Sequence, residues 1–139
     1  MIYSYECEQQ ILAGLIKHPE IYPEIAPFIS EEDFFSESSV VNKTIFSVIR
    51  QAINLGEKID EVIVSERVNS LGISFEDNLN IFDYINALSM RAVSKNSTID
   101  TAKELKKYTV KRGICKAASD IIGKVKSMPN TETYDAIIE

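Results

Sequence analysis

The side chains that could do chemistry are few, and their spacing argues against most reactions. His18 is the chain's one histidine. It falls just before Pro19, near the end of an apolar-periodic stretch, where a histidine acts as a surface or helix-capping group. Cys7 and Cys115 are the two cysteines. They are far apart and form no CxxC or Cys/His cluster, so neither a zinc site nor a local redox motif is spelled out. They read as reduced, mostly buried thiols. Acidic groups gather at Glu31-Glu32-Asp33 and Asp60-Glu61. Both runs fall at expected helix starts, where a carboxylate complements the helix dipole. A phosphate-binding loop needs Gly-x-x-x-x-Gly-Lys-Ser/Thr. The nearest approach, Gly123-Lys124, has Ala118 and Val125 at the other diagnostic positions and reads as mid-helix. A serine or cysteine triad lacks a histidine partner that spacing would identify. The sequence therefore implies no catalytic residue, no cofactor-binding residue and no metal ligand in this chain.

With 139 residues, the chain is long enough for one domain with a real core. No apolar run approaches the roughly 18 residues that span a bilayer, and the N-terminus has no basic signal-like region. A cytoplasmic protein with no membrane contact is expected. The net charge of −6 is unevenly spread. Residues 1–100 hold 7 Lys/Arg against 16 Asp/Glu, residues 101–128 hold 8 against 2, and the remainder carries −3. An acidic body is thus followed by a basic segment. Such a body repels a DNA backbone. The basic face (Lys103, Lys106, Lys107, Lys111 and Arg112) suits solvation or an acidic protein partner.

Apolar periodicity is helical nearly throughout. Ser4 caps a helix over about 5–17, with Cys7, Ile11, Leu12, Leu15 and Ile16 on one face. Pro19, Pro23 and Pro27 restrict the next stretch to turns or a short helix. Ser30 to Asp33 resembles a capping box ahead of Phe34-Phe35. A helix over about 37–55 is stopped by Gly56. Asp60 caps another over about 61–71. There Val62-Ile63-Val64 alone would suggest a strand, but no partner strand is visible. A fifth helix starts at Asp77 or Asn78 and runs to about Met90, with Phe82, Ile85 and Leu88 inward. After a polar loop, Ser94 to Ser97, the longest helix covers about 98–128. Gly113, at a cost of about 1 kcal/mol relative to alanine, is a candidate kink or break. Thr131 onward begins a further helix that runs off the end.

The expected fold is all-α: a compact multi-helix head, 1–93, then a helical hairpin, 94–139, whose second arm is cut short. The chain reads as a fragment of something longer. A stripe on the long helix (Val110, Ile114, Ala117, Ile121 and Val125) is too apolar to stay in water, and a second copy of the chain is its simplest cover.

Several ordered segments resemble the N-terminal domain of DnaB-like bacterial and phage replicative hexameric DNA helicases. Glu8-Gln9-Gln10-Ile11-Leu12-Ala13-Gly14-Leu15-Ile16 is similar to that family's E-Q-x-(V/I)-L-G-G-(L/M)-(L/M). Asp33-Phe34-Phe35 matches its D-F-(Y/F). Ile45-Phe46 with Ile49, Ala52, Ile53 and Gly56, then Ile59-Asp60, Val68, Leu71 and Tyr84-Ile85-x-x-Leu88 follow in the family's order, and Lys111-Arg112 falls at its basic pair. Ala13 replaces the first glycine of the pair, Lys58 a proline, Ile99-Asp100-Thr101 an aromatic pair and Gly113 a helix former. These departures fit a divergent member encoded by a phage or another mobile element.

The resemblance implies a non-catalytic collar domain acting in DNA replication. Its expected partners are itself (a dimer, and a trimer of dimers), primase and a helicase loader, with DNA reached only through the full-length ring. ATP and magnesium would belong to a C-terminal ATPase domain absent from this chain. The alternative is a free-standing helical adaptor that binds a helicase, primase or loader. An all-α enzyme or small-molecule sensor is a third reading, for which no polar constellation speaks.

Overall fold

The computed structural model describes residues 2–35 and 39–130. Among these every element is helical and there is no strand. The helices are α1 (Tyr5–Lys17), α2 (Tyr22–Ile25), α3 (Ser39–Asn54), α4 (Glu61–Ser70), α5 (Ile81–Ser89) and α6 (Lys95–Lys126), with 3-10 turns at Pro19–Ile21, Glu31–Asp33 and Glu76–Asn78. The chain divides into two compact units, 1–109 and 110–139.

Local chemistry sets most boundaries. The Ser4 hydroxyl accepts the Cys7 N–H at 3.2 Å to start α1, and His18 ends it by donating its backbone N–H to Gly14 at 2.7 Å. Ser30 and Asp33 form a reciprocal capping box. Asp60 accepts the Ile63 N–H at 2.9 Å. Gly56 closes α3 with φ +72°, and the Glu57 N–H reaches back to Ala52 at 2.9 Å, so the last carbonyls are satisfied. Residues 37 and 38 of the expected third helix, and the second arm from Thr131, lie outside the described residues.

The expectations for the fifth helix need correction. Asn80, not Asp77 or Asn78, is the cap, accepting the Asp83 N–H at 3.0 Å. Asn78 sits in a separate 3-10 turn at φ +50°. In α5, Ile81, Ile85 and Leu88 are buried and Phe82 is 44% exposed.

α1 packs against α3 and α5, α3 against α4, and α4 against α5. Ile11, Leu12 and Leu15 meet Ile45, Phe46, Ile49, Val64, Val68, Ile85 and Leu88 in one core. Phe34 packs its ring 4.9 Å from Phe46, centroid to centroid. Thr98, Ala102 and Leu105 bring the first turns of α6 into the same interior. Val62-Ile63-Val64 is helical: Val64 is buried and Val62 points to solvent.

The segment Glu8-Gln9-Gln10 is a set of tethers. The Glu8 carboxylate, fully buried, accepts the Phe35 N–H at 2.9 Å and the Asn42 amide at 2.8 Å. Tyr84 donates its hydroxyl to Asn42 at 2.6 Å and lies 3.2 Å from the Tyr5 hydroxyl. Gln9 and Gln10 each accept from the Arg91 guanidinium at 2.9 Å. Lys17 donates to the Arg91 carbonyl. The two ends of α1 are thereby tied to α3, to the segment before it, and to the residues that follow α5.

Gly14 has a separate reason. A Cβ there would lie 2.0 Å from the Thr98 hydroxyl oxygen and 2.3 Å from its methyl. Thr98 is buried and donates to the Ser94 carbonyl at 2.8 Å, so it cannot turn away freely. Ala13, one residue back, is buried without such a constraint. That explains why alanine is accommodated at 13 while glycine stands at 14.

Two outcomes follow. Gly14→Ala should destabilise the head by about 1–3 kcal/mol through overpacking, and adding Thr98→Ala should recover much of the loss in thermal unfolding. Burial raises the Tyr84 phenol pKa, and its hydrogen bond with Tyr5 acts in the same direction. The folded state then holds its proton where the unfolded chain releases one. This contribution is intact below about pH 10 and is lost as the pH climbs further. Denaturant titrations should show stability falling above that pH, with a shallower fall in Tyr84→Phe.

Candidate assembly interface

α6 starts earlier than the sequence suggests. Ser94 accepts the Ser97 N–H and Ser97 accepts the Ser94 N–H, each at 3.0 Å. The expected polar loop is instead a reciprocal cap, the serine counterpart of a capping box, and the helix is under way at Lys95. Nor does Gly113 break it: α6 is continuous for 32 residues through Gly113 and Gly123. One glycine costs only about 1 kcal/mol, too little to interrupt a helix satisfied on both sides.

Along α6 the burial pattern changes abruptly. Thr98, Ala102 and Leu105 are interior. From Val110 on, every predicted stripe residue is exposed: Val110, Ile114 (64%), Ala117, Ile121 (64%) and Val125, joined by Ile122. Steps of three and four place them along one side of the helix. Fully burying one such aliphatic is worth about 1.5–3 kcal/mol, so a partner that covered the stripe would gain substantially. Cys115, expected to be buried, is exposed on the same segment.

The predicted basic residues do not form one face. Lys103 and Lys107 are exposed at a spacing of four, and Lys107 pairs with Glu104 at 2.8 Å. Lys111 is exposed one step further on the same side, while Arg112 is half-buried and turned away from that line. Lys106 turns inward: its ammonium is 3.4 Å from the fully buried Asp33 and 3.9 Å from Glu32. Thr109 also donates to Asp33. Sequence reasoning read Asp33 as a cap and a motif residue and missed this second role. The one available signal was Lys106 and Thr109 at a spacing of three on a helix otherwise rich in exposed lysine.

Elsewhere, Tyr22, Ser47, Arg50, Gln51, Asn54 and Leu55 line an open surface groove. Among the described residues no group of three or more His, Cys, Asp or Glu side chains could hold a metal ion, and no helix is long and apolar enough to cross a membrane.

The described residues form an all-helical domain whose last helix carries an exposed aliphatic stripe. Comparison with known proteins places it. Residues 1–107 match the family described as DnaB-like helicase N terminal domain, and the chain belongs to that family. A replicative DNA helicase DnaB of Buchnera aphidicola subsp. Baizongia pistaciae is 33% identical over 119 residues, which cover 86% of this chain and 25% of that protein. One from Pasteurella multocida is 21% identical over 137 residues, 99% of this chain and 28% of that protein. The chain thus spans about a quarter of the length of these relatives. The fold is similar to the crystal structure of the N-terminal domain of DnaB helicase from Mycobacterium tuberculosis, with a TM-score of 0.75, 15% identity and coverage of 88% of this chain and 84% of that one.

The contrast along α6 is measurable. Leu105→Ala should lower head stability by about 2–5 kcal/mol, as expected for a filled core position. Ile114→Ser, measured at a concentration low enough for a monomer, should stay within about 0.5 kcal/mol of the parent.

Proposed function

We propose that the chain is the non-catalytic N-terminal collar domain of a replicative DNA helicase. In this reading it mediates ring assembly and serves as a docking platform for primase and a helicase loader. Family membership supports the replicative setting. The observation that carries the assembly role is the exposed stripe of Val110, Ile114, Ala117, Ile121 and Val125 on a continuous helix. The stripe packs on the same stripe of a second copy across a two-fold axis. Three such dimers make the collar.

Lys103, Lys107 and Lys111 are the exposed members of the predicted basic set and would meet an acidic partner surface, with Lys107 also paired to Glu104 and Lys106 engaged by Asp33. Unwinding belongs to the whole helicase. ATP and magnesium are handled by its motor domain, and DNA is met through the complete ring. The protein works in the bacterial cytoplasm, encoded by a cell, a phage or another mobile element.

Sedimentation of the 139-residue chain tests the central claim. The parent should self-associate, and Ile121→Glu should sediment as a monomer with its helix content kept. An Ile121→Glu protein with the parent's assembly state would refute the proposal.

A further inference from the structure

We infer that Asp33 is a positioning residue for self-assembly, holding the last head turn of α6 in place immediately before the exposed stripe begins. This rests on the assembly role proposed above. The 3-10 turn Glu31–Asp33 is fixed from two sides. Glu31 pairs with Arg50 of α3 at 2.7 Å. Asp33, fully buried, accepts its own cap bond from the Ser30 N–H at 2.8 Å. Its other oxygen takes the Thr109 hydroxyl and the Lys106 ammonium, the latter at 3.4 Å. Lys106 and Thr109 stand three residues apart on one side of α6. They form the final turn before Val110, where the exposed apolar stripe begins.

Core packing alone does not require this arrangement. The nearest interior α6 residue, Leu105, already closes the apolar contact. A buried carboxylate is costly to desolvate, and a well-packed apolar residue in its place is often neutral or stabilising. What a buried, directional cluster adds is a defined geometry. Without it the turn after Leu105 would lose its bond to a fully buried carboxylate, four residues before Gly113, a weak helix former. Association through a surface that starts at Val110 must order whatever is loose at its base, and that ordering weakens binding. A base held by Asp33 lowers that cost.

The test uses the 139-residue chain with Thr109→Val, Thr109→Ser and Lys106→Gln. Thr109→Val and Lys106→Gln should each raise the self-association Kd by about 3- to 10-fold in sedimentation equilibrium, and Thr109→Ser, which keeps the hydroxyl, should restore parent affinity. Kd values within twofold of the parent for both Thr109→Val and Lys106→Gln overturn the inference, whatever happens to the unfolding midpoint. If Thr109→Val does not fold, Lys106→Gln carries the test.

Amide exchange over 109–113, read in the Ile121→Glu background, separates this idea from the assembly reading. Faster exchange on adding Thr109→Val supports the Asp33 clasp even if Ile121→Glu leaves the assembly state unchanged. Unaltered exchange rejects the clasp even if the stripe does assemble.

Discussion

One helix serves two solvents. The first turns of α6 place Thr98, Ala102 and Leu105 in the head's interior, and the same unbroken helix then presents Val110, Ile114, Ile121 and Val125 to water. A helix interior needs no tertiary contact to satisfy its backbone, so α6 can leave a core without breaking hydrogen bonds. Its side chains have no such independence. The aliphatics past Thr109 keep an unfavourable exposure that association can remove. The self-association proposed for this chain is argued from that imbalance.

The close approach of α1 to α6 makes the first half possible. Gly14 lets Thr98 sit where a methyl group would otherwise be, and Thr98 in turn bonds to the Ser94 carbonyl at the start of α6. A motif glycine and the cap of a distant helix are thus parts of one contact. The polar tethers act similarly. Glu8 reaches Phe35 and Asn42, and Gln9 and Gln10 hold Arg91. Each of these bonds contributes only about 1 kcal/mol net, more where a charge takes part. Leaving the buried Glu8 or Asp33 without partners would cost considerably more. Such groups specify which surfaces meet more than they add to stability.

Much of the fold was legible because helices announce their ends locally. Ser4, Asp60 and Gly56 were read as caps or stops from residue type alone, and each performs that task through groups within five residues. The errors came where two local solutions compete. Asn78 and Asn80 are both plausible starts for α5; the helix begins after Asn80, and packing buries Ile81 with Ile85 and Leu88 while Phe82 is partly exposed. Ser94 to Ser97 has the composition of a loop, yet two serines three apart cap each other as readily as they form one. Gly113 has the propensity of a break, but continuous hydrogen bonding around it outweighs a penalty of about 1 kcal/mol.

Residue order by itself determined the all-helical class, most helix boundaries, the apolar stripe of α6 and the family likeness, because each depends on neighbours within one or two turns. Only the tertiary structure decided that Lys106 faces Asp33 instead of joining Lys103 and Lys107, that Gly14 exists for Thr98, and that α6 is interior as far as Leu105. The first two join residues 73 and 84 positions apart. A periodic pattern shows that a helix has two faces, but which groups lie opposite each face is set by the packing of the other helices around it.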